Sequence, residues 1–196
     1  APLEDFVKLP KEILLTKIKQ VEVYSPDKTK LEFKLKKPNI VVDRIGFDKF
    51  LAEKAEDVGV KINLNHRFIK NTGNIMELKT EGRTITRKFD YLVGADGPFS
   101  AVAKSNNIYG NRKFMTGYQA RINLEMDPET IEVWLGVGLF GWLVPEDNKV
   151  VRIGLVCGSN ENPLGLFNKL LKLRSDNPKI IDYQPGLIPI YDPSPK

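Results

Sequence analysis

The sequence predicts an α+β chain, with an α/β portion at residues 39–110 and a mainly antiparallel sheet with a covering helix built from residues 1–38 and 111–196. Three observations predict it. Between residues 40 and 105, apolar runs alternate as strand, helix, strands, strand and helix. From Phe114 onward, long segments alternate polar and apolar residues with the period of two that marks half-buried strands. A stripe at helical spacing, Leu164, Phe167, Leu170 and Leu171, then follows. At 196 residues the chain is long enough for one large domain or two small ones.

Each element has its own local reason. Val21–Tyr24 alternates, Ser25-Pro26-Asp27 supplies a turn, and Leu31–Lys36 returns as the second arm of a hairpin. Asn39-Ile40-Val41-Val42 is a short apolar run with parallel-sheet character that ends at Asp43-Arg44. Phe47, Phe50, Leu51, Ala55 and Val58 recur at helical spacing, with Asp43 at the N-cap position and Gly59 where a left-handed C-cap belongs. Val60, Ile62 and Leu64 alternate as a strand. Strands at 75–80 and 84–89 follow, separated by turns at Asn71–Asn74 and Glu81-Gly82-Arg83. Tyr91-Leu92-Val93 reads as a buried strand running into Gly94-Ala95-Asp96-Gly97-Pro98, with a helix from Ser100 whose first turn holds Pro98. Strands at 114–124, 131–135, 139–144 and 150–157 precede the last helix, which Asn160 or Asn162 caps. Four prolines from Gln184 to Lys196 mark an extended tail.

Composition closes off several functions. One cysteine, Cys157, and one histidine, His66, preclude a disulfide within the chain and a zinc site assembled from Cys and His. No Gly-x-Ser-x-Gly elbow accompanies His66, which argues against a serine hydrolase. A lone thiol is compatible with a reducing, cytoplasmic compartment. Residues 1–11 carry acidic side chains and no apolar core, so no secretory leader is expected, and no apolar run approaches the roughly 20 residues of a spanning helix. The net charge of +5 gathers partly at Lys28, Lys30, Lys34, Lys36 and Lys37. Because Leu31, Phe33 and Leu35 alternate with these residues, they read as the solvated face of a strand, and no nucleic-acid partner is expected.

Two glycine-containing strings compete for attention. Gly136-Val-Gly138-Leu-Phe-Gly141 has the spacing of a dinucleotide-binding loop, but Trp142-Leu143-Val144-Pro145 follows it, where a helix N-terminus is needed to face the phosphates. It is not such a loop. Asp90-Tyr-Leu-Val-Gly94-Ala-Asp96-Gly97-Pro98-Phe-Ser100-Ala-Val102 is more specific: a strand enters a tight turn that feeds a helix, with Asp96 beside amides that favour a carboxylate or a phosphate. As a purely structural feature, Asp96 is an acidic cap.

This string resembles the Asp-Gly motif of FAD-dependent enzymes of the aromatic-hydroxylase fold group. Val42-Asp43-Arg44 with the following Phe47-Asp48 and Leu51-Ala52 resembles a second block of that group. Phe140-Gly141-Trp142-Leu143-Val144-Pro145 is similar to the aromatic-x-Trp-x-aromatic-Pro motif of geranylgeranyl reductases, with Phe140 where Tyr is usual and Val144 where Phe is usual. The resemblance implies a partial FAD-binding domain at 39–110, with Arg44, Phe68, Asp96 and Gly97 as FAD contacts, and a substrate domain with Phe140, Trp142 and Pro145 toward the flavin. It further implies an isoprenoid lipid substrate, an electron donor and a place in lipid biosynthesis, with peripheral membrane contact left open. The family's N-terminal glycine loop and its second Gly-Asp motif have no counterpart here, so the chain is expected to be the middle portion of such an enzyme and inactive by itself. No titratable residue stands out as a general acid. An FAD monooxygenase of the same fold group, and a non-catalytic lipid- or protein-binding domain, are the alternatives.

Overall fold

A long hairpin begins the larger sheet of this computed structural model, which describes residues 6–175 and 178–190. Strands β1 (Leu14–Tyr24) and β2 (Lys30–Val42) pair antiparallel around a turn in which Asp27 Oδ1 accepts the Thr29 N–H at 3.2 Å and Lys28 takes a left-handed φ of 65°. The hairpin is longer than its alternation suggested. The run Asn39–Val42 is the end of β2 and pairs antiparallel with β1 (Leu14↔Val42, Lys17↔Ile40), not a separate parallel strand.

Four more strands complete the middle of the sheet: β6 (Phe114–Asn123), β7 (Thr130–Trp134), β8 (Phe140–Pro145) and β9 (Val150–Gly158). With β10 (Lys179–Pro189) the order is β10-β6-β9-β8-β7-β1-β2. The β6–β9, β8–β9 and β7–β8 pairs are antiparallel, as the alternation predicts, and β1 joins β7 in parallel. Residues 184–189 of the expected tail thus belong to an edge strand, while 191–196 lie outside the described residues. Helix α3 (Pro163–Arg174) starts where Asn162 Oδ1 accepts the Gly165 N–H at 3.0 Å, with Pro163 in the first turn. Its Phe167 and Leu170 seal one face of the sheet against Ala120, Ile122, Leu143, Val151, Ile153 and Leu155. Gly141 of β8 is needed at this contact, since a Cβ there would meet Leu170 at 2.8 Å. Gly136 and Gly138 have φ of 75° and 63° in the turn between β7 and β8, which accounts for their spacing without any phosphate.

By contacts the chain divides into two units. One holds the described residues up to Lys54 together with Met115–Leu187; the other holds Ala55–Phe114 with the described residues from Ile188. Helix α1 (Arg44–Asp57) spans the first division, with the Asp43 Oδ1 accepting the Ile45 N–H at its start and Gly59 at φ 92° at its end, as expected. The second unit contains a meander of β3 (Arg67–Thr72), β4 (Ile75–Thr80) and β5 (Arg83–Lys88), followed by α2 (Ala101–Ser105). Both expected turns are present, with Gly73 and Gly82 at positive φ.

Two expected strands of this unit are not formed. Residues 60–64 and 91–93 have no strand partner among the described residues, and Tyr91 and Val93 are 93% and 84% exposed instead of buried. A strand exists only where a neighbouring chain takes up its backbone N–H and C=O groups, so apolar composition alone does not make one. Pro98 lies in the turn before α2, outside the helix, and Ser100 is the residue that caps it.

Candidate functional site

In the second unit, the Asp-Gly string folds as a cap around the start of α2. Asp96 Oδ2 accepts the N–H groups of Ala101 and Val102 at 2.7 and 3.2 Å, and Ser100 Oγ accepts that of Ala103 at 2.9 Å. The Ser100 hydroxyl and these backbone donors hold the Asp96 carboxyl below the usual carboxylate range. The amides that the sequence suggested for a phosphate are therefore already taken by side chains of this chain. Gly97 is different. Its φ of 82° excludes most side chains, nothing lies within 4 Å of where a Cβ would be, and it lines a cavity of about 470 Å³ with Gly94, Asn71 and Arg112. Its bare backbone fits the close approach of a ligand. Phe68 is the second residue of β3, paired with Leu78, so it begins the meander and does not end a strand after α1.

In the first unit, Arg44 stands at the start of α1, exposed, with its Nε donating to Asp48 Oδ1 at 3.0 Å. It lines a cavity of about 670 Å³ that also takes in Asp43, Gln119, Arg121, Arg152 and Gln184. Two layers of polar contacts organise this cavity. Glu146, buried immediately after β8, accepts two hydrogen bonds from Arg121 (Nε at 2.9 Å, Nη2 at 2.7 Å) and one from Arg152 Nε at 2.5 Å. Arg121 also reaches Asp182 Oδ2 at 3.3 Å. Burial pushes the Glu146 carboxyl up, but the hydrogen bonds and charges of Arg121 and Arg152 outweigh it and hold the group below its ordinary value. Glu146 is thus an ionised anchor and not a proton donor at neutral pH.

The second layer fixes Trp142. Its indole Nε1 donates to Gln119 Oε1 at 3.0 Å, and the Gln119 amide donates to Gln184 Oε1 at 2.8 Å. Between β8 and β6 runs β9, and the ring crosses it at Gly154, where a Cβ would come within 2.6 Å of the indole. Phe140 packs beside the ring at 5.8 Å between centroids. The fold therefore brings Arg44 and the environment of Trp142 to one cavity, through Gln119. It does not group Pro145 with them. Strand alternation sets Phe140, Trp142 and Val144 on one face and Gly141, Leu143 and the fully buried Pro145 on the other. Sequence reasoning missed Gln119, Gly154 and the Arg121–Glu146–Arg152 group, because each acquires its role from a strand distant in sequence.

Similarity to known proteins agrees with this architecture. No family model matches the chain. It is 27% identical over 197 residues to the chloroplastic geranylgeranyl diphosphate reductase of Nicotiana tabacum, covering 86% of this chain and 42% of that one. It is 23% identical over 217 residues to a digeranylgeranylglycerophospholipid reductase of Methanocella arvoryzae, covering 100% of this chain and 55% of the relative. The chain thus spans about half the length of the curated relatives it matches. Among solved structures, a geranylgeranyl bacteriochlorophyll reductase-like protein from Thermoplasma acidophilum superposes with a TM-score of 0.83 at 16% identity, over 95% of this chain and 53% of that one. A triple mutant of the flavin-dependent brominase Bmp2 superposes at 0.71 and 17% identity, over 91% and 52%. The chain is thus similar in sequence to geranylgeranyl reductases, and it shares its α+β fold with the reductase-like protein and the brominase.

Proposed function

We propose that this chain is the substrate-facing portion of a flavin-dependent reductase that saturates carbon–carbon double bonds of an isoprenoid lipid. The observation that carries the reading is Trp142, held in one orientation by Gln119 and Gly154 in the aromatic-x-Trp-x-x-Pro segment, with Gln119 lining the same cavity as Arg44. FAD, when bound, supplies the hydride for such a reduction. The residues present fit it: Gly97 offers bare backbone, and the Arg44 guanidinium keeps donors beyond the Nε committed to Asp48. In this reading Arg44 is the dinucleotide contact of the first unit; Gly97, with Phe68 as a further backbone contact, is that of the second, where Asp96 fixes the turn that presents Gly97. Phe140 and Trp142 form an apolar wall that orients the alkene and excludes water. Pro145 supports that wall from the buried face. The Arg121–Glu146–Arg152 group keeps the polar side of the cavity rigid. Among the described residues no helix is long and apolar enough to cross a membrane, and contact with a lipid surface is proposed as peripheral.

Two substitutions in the full-length protein test the assignment. Asp96→Ala is expected to lower the flavin bound per chain, read from the visible absorption spectrum. Trp142→Ala is expected to leave the flavin in place and to lower turnover of a geranylgeranyl lipid by about 10²-fold, the scale of a lost positioning contact. Full flavin content in the first variant, or unchanged turnover in the second, contradicts the roles given to these residues.

A further inference from the structure

Helix α3 covers one face of the large sheet, and the register of the strands lays two rows of apolar side chains across the other. In the first row, Trp142 of β8 is opposite Val133 of β7, Val133 is opposite Val23 of β1, and Val23 is opposite Leu31 of β2. In the second, Ile131, Val21 and Phe33 stand opposite one another on β7, β1 and β2. Paired residues share a face and alternate residues leave by opposite faces, so all seven point away from the buried Glu132, Trp134 and Leu143. Burial decreases outward: the residues on β7 and β1 are half-buried, whereas Leu31 and Phe33 on the edge strand are 59% and 52% exposed. No ionisable side chain interrupts either row. Arg121 and Arg152 share this face but lie beyond Trp142, on β6 and β9.

The dimensions select an occupant. Three inter-strand steps make the strip about 14 Å long, and two residues of rise along a strand make it about 7 Å wide. That is on the order of 100 Å², far below the roughly 800 Å² per partner of a stable protein interface. A strip one chain wide, apolar throughout, bounded at one end by Trp142, whose ring crosses β9 toward Gln119, and open at the other over a sheet edge, is complementary to a single linear hydrocarbon. We propose that it seats the tail of the prenyl substrate, which lies across the strands from Trp142 and leaves the sheet over Leu31 and Phe33. This inference rests on the reductase reading for the identity of the chain. It adds that Val23, Leu31 and Phe33, on the strands farthest from Trp142 in the strip, sense substrate length.

The experiment compares geranyl and geranylgeranyl substrates with the same head group, on the full-length flavin-loaded protein and its Leu31→Ser and Phe33→Ser variants. A tail long enough to reach β2 loses a contact in these variants and a short one does not. KM for the geranylgeranyl substrate is expected to rise about tenfold, the scale of one apolar side chain removed from a binding surface, with kcat unchanged. KM for the geranyl substrate is expected to stay within about twofold of wild type. A Val133→Ser variant, next to Trp142, is expected to weaken both substrates. Equal responses of the two lengths to Leu31→Ser and Phe33→Ser, or no response of either, overturn the strip while wild-type turnover leaves the reductase reading intact. Failure of the wild-type protein to turn over either length overturns that reading, and the occupant with it.

Discussion

The two faces of the seven-stranded sheet are made by alternate residues of the same strands, yet they are built for different ends. On β8, Gly141, Leu143 and Pro145 point into a core sealed by Phe167 and Leu170, while Phe140, Trp142 and Val144 stay partly accessible. Polar groups follow the same division. On the sealed face Glu132 is fully engaged, by Trp134 Nε1 at 2.9 Å and Arg174 Nε at 2.9 Å, beside a Tyr24–Trp134 stack. On the accessible face, polar residues collect on β10, β6 and β9 and apolar ones on β7, β1 and β2. One face supplies stability; the other leaves an open surface graded from charged to apolar, which is what an amphipathic ligand requires.

If that division is real, removing a side chain from the sealed core or a partner from the buried ion-pair group costs stability, whereas removing an exposed apolar side chain of the open rows costs little. The largest loss of stability is expected for Leu155→Ala, which opens a cavity in the sealed core and is expected to cost about 2–5 kcal/mol in urea unfolding. Glu146→Gln comes next. It removes a charged acceptor from Arg121 and Arg152, with an expected loss of about 1.5–3 kcal/mol. Because the folded-state pKa of Glu146 lies below its unfolded value of about 4.5, its contribution is complete above that pH and disappears as the pH falls through the lower folded value. The urea midpoint of the Gln variant is therefore expected to lie well below wild type at pH 7 and to converge with it in strong acid. A gap that persists undiminished to low pH would contradict the ion-pair account. Smallest of all is Phe33→Ser, with an expected change within about 0.5 kcal/mol, because that side chain already meets solvent. A large loss there would mean that β2 belongs to the core and not to an open strip.

Legibility in the sequence follows the same physics. Strands β6 to β9 and helix α3 were readable because each has a period set by its own residues, and Asn162 and Ser100 act as caps through contacts three residues away. The turn at Asp96 and Gly97 was visible as a string, but whether its amides were free depended on where the Asp96 oxygen pointed. Residues 60–64 and 91–93 have strand composition and no partner strand, so local pattern and tertiary context part company there. Trp142 was conspicuous as a motif. What holds it was not, since Gln119 lies 23 residues away and Gly154 matters only because the ring crosses β9 at that point. The two apolar rows are invisible to any single segment. They arise from the register of four strands, one of which, β1, joins its neighbour β7 in parallel.

The central claim is that the accessible face serves the reduction of an isoprenoid double bond. It is tested most directly by incubating the full-length protein, with its flavin reduced beforehand, with a geranylgeranyl lipid in the absence of dioxygen, and weighing the product. The account predicts a product heavier by two hydrogens for each double bond saturated, formed anaerobically and lost in Trp142→Ala. A lipid left unchanged until dioxygen is admitted, and then recovered with an added oxygen atom, would contradict it.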